Sequence, residues 1–315
     1  MITGTLESYD TIIKNIDELI SYLQSLQIEA ELNSHLEDDY LDAHLFYESY
    51  KKSPSDISCS KGLQALGGLH ELYKWIWSVK DTSEFDKLKS HLALLVQAAP
   101  RINSSTPFLS PVTNKQDDKT NKFIEAIVGF FAVAYGRDVD LDDPINSSGG
   151  ENPDVIFTYQ GKRVSIACKT LHSKNPTTIL QNIDSAAKQI TRASCDKGYI
   201  LLNGMNIIDH GKIQGKVFNT EKEPFNILRL DLESIYQSVL NNCKCELEEI
   251  FSLNPKAIPI VITTIHSVTQ LNSNFGVLST SLKGTIITNF RNEDEYDEQY
   301  LTLPIQFNNF IHNII

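Results

Sequence analysis

The stretch that most constrains this chain runs from Glu151 to Thr170, where two β-forming segments are separated by only a short turn. Val155 to Tyr159 and Val164 to Thr170 are rich in β-branched and aromatic residues, and Gln160-Gly161-Lys162 between them reads as the turn of a hairpin. Strand side chains alternate between faces. Ser165, Ala167 and Lys169 therefore share one face, while Val164, Ile166 and Cys168 share the other and are directed into a core. Lys169 is a charged residue in a buried-looking strand and requires an anionic partner. Asp154, whose entry into the first strand is fixed by Pro153, is the nearest candidate.

The segments after the hairpin restrict the topology further. Residues 177–194 carry a helical pattern with Pro176 near its start, and GYILLNG, 198–204, reads as a strand. A strand, a helix and another strand form a β-α-β crossover with at least one parallel pair. Beyond it, 226–230 reads as a short strand and 231–252 as a helix. AIPIVITTI, 257–265, is a central strand by its β-branched content, and 284–290 is another strand. FNNFIHNII at the end is compatible with a short helix or strand, after a charged loop at 292–295.

Before the hairpin the chain is helical. Residues 1–98 place apolar side chains at three- and four-residue spacing, among them Ile13, Ile16, Ile20 and Leu23, with further helices expected near 30–51, 60–79 and 83–98. Three prolines with Ser, Thr and Asn over 100–118 read as a linker. The organisation expected is a helical domain at 1–99, a linker at 100–118 and an α/β domain at 119–315 with a mixed sheet flanked by helices. The helical domain is acidic, so docking or self-association into a homo-oligomer fits it better than contact with nucleic acid.

Residues 119–135 form a helix apolar enough to be buried on most sides, and Glu125 lies inside it. A carboxylate among Phe123, Ile124, Ile127 and Phe130 is costly unless it binds a cation or reaches a solvated margin of the helix. After Gly136 the chain carries several acids, and Ser147-Ser148-Gly149-Gly150 marks a loop leading into the hairpin.

Composition narrows the classes. At 315 residues and 41% hydrophobic, the chain is long enough for two domains and an ordinary core. No apolar run approaches the roughly 20 residues of a membrane span, and the acidic, amphipathic start is unlike a signal peptide, so no membrane partner and a cytoplasmic location are expected. Five cysteines without CxxC spacing argue against a disulfide framework or a structural zinc site. A net charge of -12 disfavours a protein that coats nucleic acid. Residues 160–197 nevertheless hold seven lysines and arginines against two aspartates, a local basic segment around the hairpin. No P-loop, dinucleotide fingerprint or Ser-His-Asp signature is present.

Pro153-Asp154, the hairpin and a strand ending in Lys169 resemble the PD-(D/E)xK phosphodiesterases, the restriction-endonuclease-like superfamily. The resemblance covers about 121–203, and the chain departs from the family pattern at Ala167, where the second acid stands two residues before the lysine. The resemblance implies a restriction-endonuclease-like mixed sheet and a nuclease that uses Mg²⁺ (or Mn²⁺). Asp154, Glu125 and the carbonyl of Cys168 would be the metal ligands, Lys169 the cationic catalyst, and Gln189, on the following helix, an aid to the lysine or the substrate. Glu125 is favoured over Asp184 as the displaced acid because Asp184 has a simpler partner in Lys188 at i+4. The implied partners are nucleic acid, above all DNA, and a partner protein of a restriction or antiviral defence system. The alternative is a catalytically inactive nuclease fold that binds nucleic acid or a partner protein.

Overall fold

A computed structural model describes residues 7–32, 34–53, 61–96, 118–144, 151–274, 276–290 and 298–312. The loop expected at 147–150, the charged loop at 292–295 and most of the linker expected at 100–118 lie outside the described residues.

Three long helices open the chain: α1 (Tyr9–Ser25), α2 (His35–Lys52) and α3 (Lys61–Val79). Ser8 and Ser34 cap the first two by accepting hydrogen bonds from the backbone N–H of Thr11 and Glu37, which satisfies donors that a helix start leaves open. The helix expected at 83–98 is instead broken into a 3₁₀ turn at 85–88, a five-residue helix α4 (Lys89–Ala93) and a second 3₁₀ turn. Phe85, Leu88, Leu92 and Leu95 pin this segment into the core.

Helix α5 (Asp118–Tyr135) leads into a seven-stranded sheet: β1 (Arg137–Leu141), β2 (Val155–Tyr159), β3 (Lys162–Thr170), β4 (Lys197–Asn203), β5 (Val217–Phe218), β6 (Ala257–Ser273) and β7 (Gly276–Asn289). The remaining helices are α6 (Pro176–Arg192), α7 (Lys222–Leu253) and α8 (Thr302–Ile311). β2 and β3 form the expected hairpin, with Lys162 already in the strand and a two-residue turn. Gln160 and Gly161 both have positive φ, 47° and 78°, the backbone of a turn whose twist matches that of its strands. β3 and β4 run parallel across α6, as the crossover requires. β6 pairs with β4 on one edge and along its length with β7, so the sheet is mixed.

Helices cover both faces. Val164, Ile166 and Cys168 face a core shared with α1, α3, α5 and α8, whereas Ala167, Ile200 and Leu202 face α6 and α7. Ser165 and Ala167 are fully buried, so the second face of β3 is as dry as the first. The N-terminal helices contribute to the same continuous core as α5 and the sheet. A buried ion pair reinforces that junction, Glu71 of α3 with Lys283 of β7. Burial would raise the Glu71 carboxyl, but Lys283 holds it down to about 2, while burial pushes Lys283 itself down.

Three local expectations are corrected. Residues 226–230 are not a strand but part of α7: Leu228, Leu232, Ile235 and Val239 recur at helical spacing and face the sheet, and this period overrides the local β-like run. Residues 137–141, where the sequence pattern marks no strand, form edge strand β1, with Val139 buried and a register irregularity between Arg137 and Asp140. β6 and β7 each extend well beyond the runs at 257–265 and 284–290, because they pair with each other from Ile260↔Asn289 to Ser273↔Gly276. Of the final run, residues 307–311 belong to helix α8.

Candidate functional site

Asp154 lies immediately before β2, and Cys168 is two residues beyond the last β2 partner on β3. That geometry leaves the Cys168 N–H without a strand partner on this edge, and it donates to Asp154 Oδ2 at 2.5 Å. In an extended strand the N–H and C=O of one residue face the same edge, so the Cys168 carbonyl faces the Asp154 side as well. The Asp154 carbonyl accepts from the Asp142 N–H at 3.0 Å, which ties the end of β1 to the same spot. The loop leading to Asp154 is fixed from α6: Gln189, only 2% exposed, donates from Nε2 to the carbonyl of Asn152 at 2.9 Å.

Glu125 reaches this point from the opposite side of the chain's path. Its side chain is 13% exposed and near enough for its charge to raise the Asp154 carboxyl, so it is not at a solvated helix margin. Burial raises both carboxyls to about 7; the Glu125 charge pushes Asp154 up further, while Lys169 draws both back down. A pair of neighbouring buried carboxyls favours any positive charge offered to it. Lys169, half-buried at the end of β3, contributes from the α6 face of the sheet, and Glu125 from the α5 face. Asp154 sits just before β2, tied to the end of β1 and the end of β3.

The sequence-derived residues therefore separate into two groups. Asp154, Glu125, Lys169 and the backbone of Cys168 come together, while Gln189 acts one step back, on the loop rather than on Lys169. The Cys168 thiol is buried in the α5-side core, and burial pushes it well above the ordinary thiol range. Asp184 makes the simple ion pair with Lys188 at 2.6 Å on the α6 surface. Ala167 is sealed against the α6 core, where a carboxylate would be cut off from water. The basic segment is not gathered at the site. Arg163 and Lys197 lie at the start of β3 and β4, and six residues of strand, about 20 Å, separate Arg163 from Lys169.

Two further residues, neither marked by a sequence motif, contribute to the site. Asp142, at the end of the unrecognised strand β1, raises both carboxyls by its charge. His91, from α4, is 1% exposed and brings Nε2 to 3.8 Å from Glu125 Oε2. Burial pushes its ring down to about 4 against the pull of Asp154, Asp143 and Asp142. The only local signal was a histidine inside an apolar run, HLALLV.

Among the described residues no three His, Cys, Asp or Glu side chains are gathered into a ready-made metal cage. The site offers a cation two carboxylates and a main-chain oxygen, a donor set of hard oxygens that suits Mg²⁺, which keeps several of its own waters. Compared with known proteins, the chain matches no family model, no characterised protein and no solved structure. Four of its cysteines, Cys168, Cys195, Cys243 and Cys245, are free thiols, and Cys59 lies outside the described residues. Among the described residues no helix is long and apolar enough to cross a membrane.

Proposed function

We propose that this chain is a divalent-metal-dependent nuclease that hydrolyses phosphodiester bonds, with DNA as its substrate. The observation that carries the reading is the approach of two buried carboxyls, Glu125 and Asp154, beside the Lys169 ammonium. They come from elements 29 positions apart in the chain. Resemblance to the PD-(D/E)xK phosphodiesterases supplies the reaction class, and the restriction or antiviral defence setting rests on that resemblance alone. Glu125 replaces the acid absent at Ala167. Its position on α5 supports this, because the β3 position is closed off by the α6 core.

Glu125, Asp154 and the Cys168 carbonyl would hold a Mg²⁺ or Mn²⁺ ion. When bound, such an ion neutralises phosphate charge and lowers the pKa of water. The chain's own residues perform the remaining tasks. The Cys168 N–H fixes the Asp154 carboxylate. Lys169 directs positive charge toward a phosphate approaching the end of β3, where negative charge grows in the transition state. Gln189 holds the Asn152 carbonyl, and with it the segment that sets the Asp154 position.

The test is metal-dependent cleavage by the purified protein on supercoiled and linear DNA, with RNA in parallel. Asp154→Ala, Lys169→Ala and Glu125→Gln should each abolish cleavage, and Asp184→Asn should leave it intact. Loss of activity in Asp184→Asn with full activity in Glu125→Gln would move the second acid to α6. Nucleic-acid binding without cleavage by the wild type in Mg²⁺ or Mn²⁺ would replace the nuclease by a binding fold.

A further inference from the structure

His91 is an unusual residue for its place. It is 1% exposed, and neither ring nitrogen has a hydrogen-bond partner. An unpartnered buried polar group costs about 1 to 3 kcal/mol, so a leucine or phenylalanine would pack the position at less cost. The segment that carries it is closely packed. Leu88 and Leu92, on either side of it in sequence, are fully buried, and a Cβ at Gly129 of α5 would come within 2.8 Å of Leu88 Cδ2. Gly129 is one helical turn from Glu125, so the α4 segment is wedged against the part of α5 that carries the acid.

From this geometry we infer that His91 is a positioning residue for Glu125: its ring donates Nε2–H to Glu125 Oε2 in the working site and fixes the rotamer of the Glu125 carboxylate beside Asp154. The present separation of 3.8 Å needs to close by less than 1 Å, a small torsional adjustment of a long side chain, to reach hydrogen-bonding distance. Glutamate has three side-chain torsions, and a carboxylate on a helix needs a second support to hold one of them in place. The N-terminal helical layer thereby completes the acidic site instead of only packing beside it. The inference rests on the nuclease reading for its catalytic consequence, but the contact itself is measurable without metal or substrate.

Two variants of the full chain separate donor from filler. His91→Phe keeps a ring of similar volume without a donor, and His91→Gln keeps an N–H donor. His91→Phe should lower kcat about 10- to 100-fold and weaken Mn²⁺ binding, read by electron paramagnetic resonance, to a similar degree. KM for DNA should stay unchanged, and His91→Gln should recover most of the loss. Equal activity of His91→Phe and wild type, or equal damage in both variants, would overturn the inference. So would nitrogen hyperfine coupling from His91 to bound Mn²⁺, because the residue would then be a ligand and not a support. In metal-free protein at pH 8, His91→Phe and Glu125→Ala should be non-additive by about five-fold or more in the unfolding constant, and additivity would overturn the contact. A wild type that neither binds Mn²⁺ nor cuts nucleic acid removes the nuclease reading, and this cycle then decides the His91 contact alone.

Discussion

Replacing Asp154 by Asn should stabilise the metal-free protein while removing its ability to hold a cation. Asp154 is 8% exposed, and burial together with the Glu125 charge carries its carboxyl from 3.8 to about 7. Each pH unit of that displacement disfavours the ion by about 1.4 kcal/mol. Ionised Asp154 therefore opposes the fold by about 2 to 4 kcal/mol, the lower figure allowing for its coupling to Glu125. Below pH 4 the carboxyl is protonated in folded and unfolded chains alike, and the penalty is absent. As the pH rises from about 4 to 7 the unfolded chain releases its proton first, so stability falls. Above 7 the penalty is complete. Asparagine keeps an oxygen for the Cys168 N–H, so the backbone restraint survives. In chelator at pH 8 the variant should melt about 4 to 8 °C higher than wild type, and at pH 4 the two should coincide. Added Mn²⁺ should raise the wild-type melting temperature and leave the variant unchanged. A variant that melts at or below wild type at pH 8, or that gains equally at pH 4, would refute the reasoning.

Three other outcomes rest on the packing. Glu71→Gln leaves Lys283 buried without its opposing charge and should cost about 3 to 5 kcal/mol in urea titrations, whereas Glu71→Leu combined with Lys283→Met should recover most of it. In the wild type the Glu71 contribution is present above about pH 4.5 and is lost as the pH falls toward 2, because the folded carboxyl is held down. Gln189→Leu frees the Asn152 carbonyl and should slow single-turnover cleavage about 10-fold while metal affinity changes far less; unchanged rates would remove Gln189 from the site's support. Gly198→Ala would set a Cβ 2.5 Å from Ile190 Cγ2 and against Ser165 Oγ, so it should destabilise the β4–α6 contact by about 1 to 3 kcal/mol, read by equilibrium unfolding.

The sequence by itself determined the elements whose signals are local. The hairpin, the crossover helix α6, the parallel strand β4 and the amphipathic N-terminal helices all arise from side-chain period and turn chemistry, which are properties of neighbouring residues. It also marked Glu125, because a carboxylate in an apolar helix conflicts with its surroundings whatever the fold, and it marked Asp154 and Lys169 as charges at strand ends. Tertiary structure decided the rest. Residues 226–230 have a β-like composition but became helix because α7 buries a longer helical face, and β1 exists only because β2 offers it an edge. The meeting of Glu125 with Asp154, the burial of Gln189 under the Asn152 loop and the arrival of His91 from α4 depend on how α4, α5 and α6 pack on the sheet. Those contacts join residues far apart in the chain. No pattern within one segment encodes them, since the distance between two segments is fixed by the layers packed between and around them.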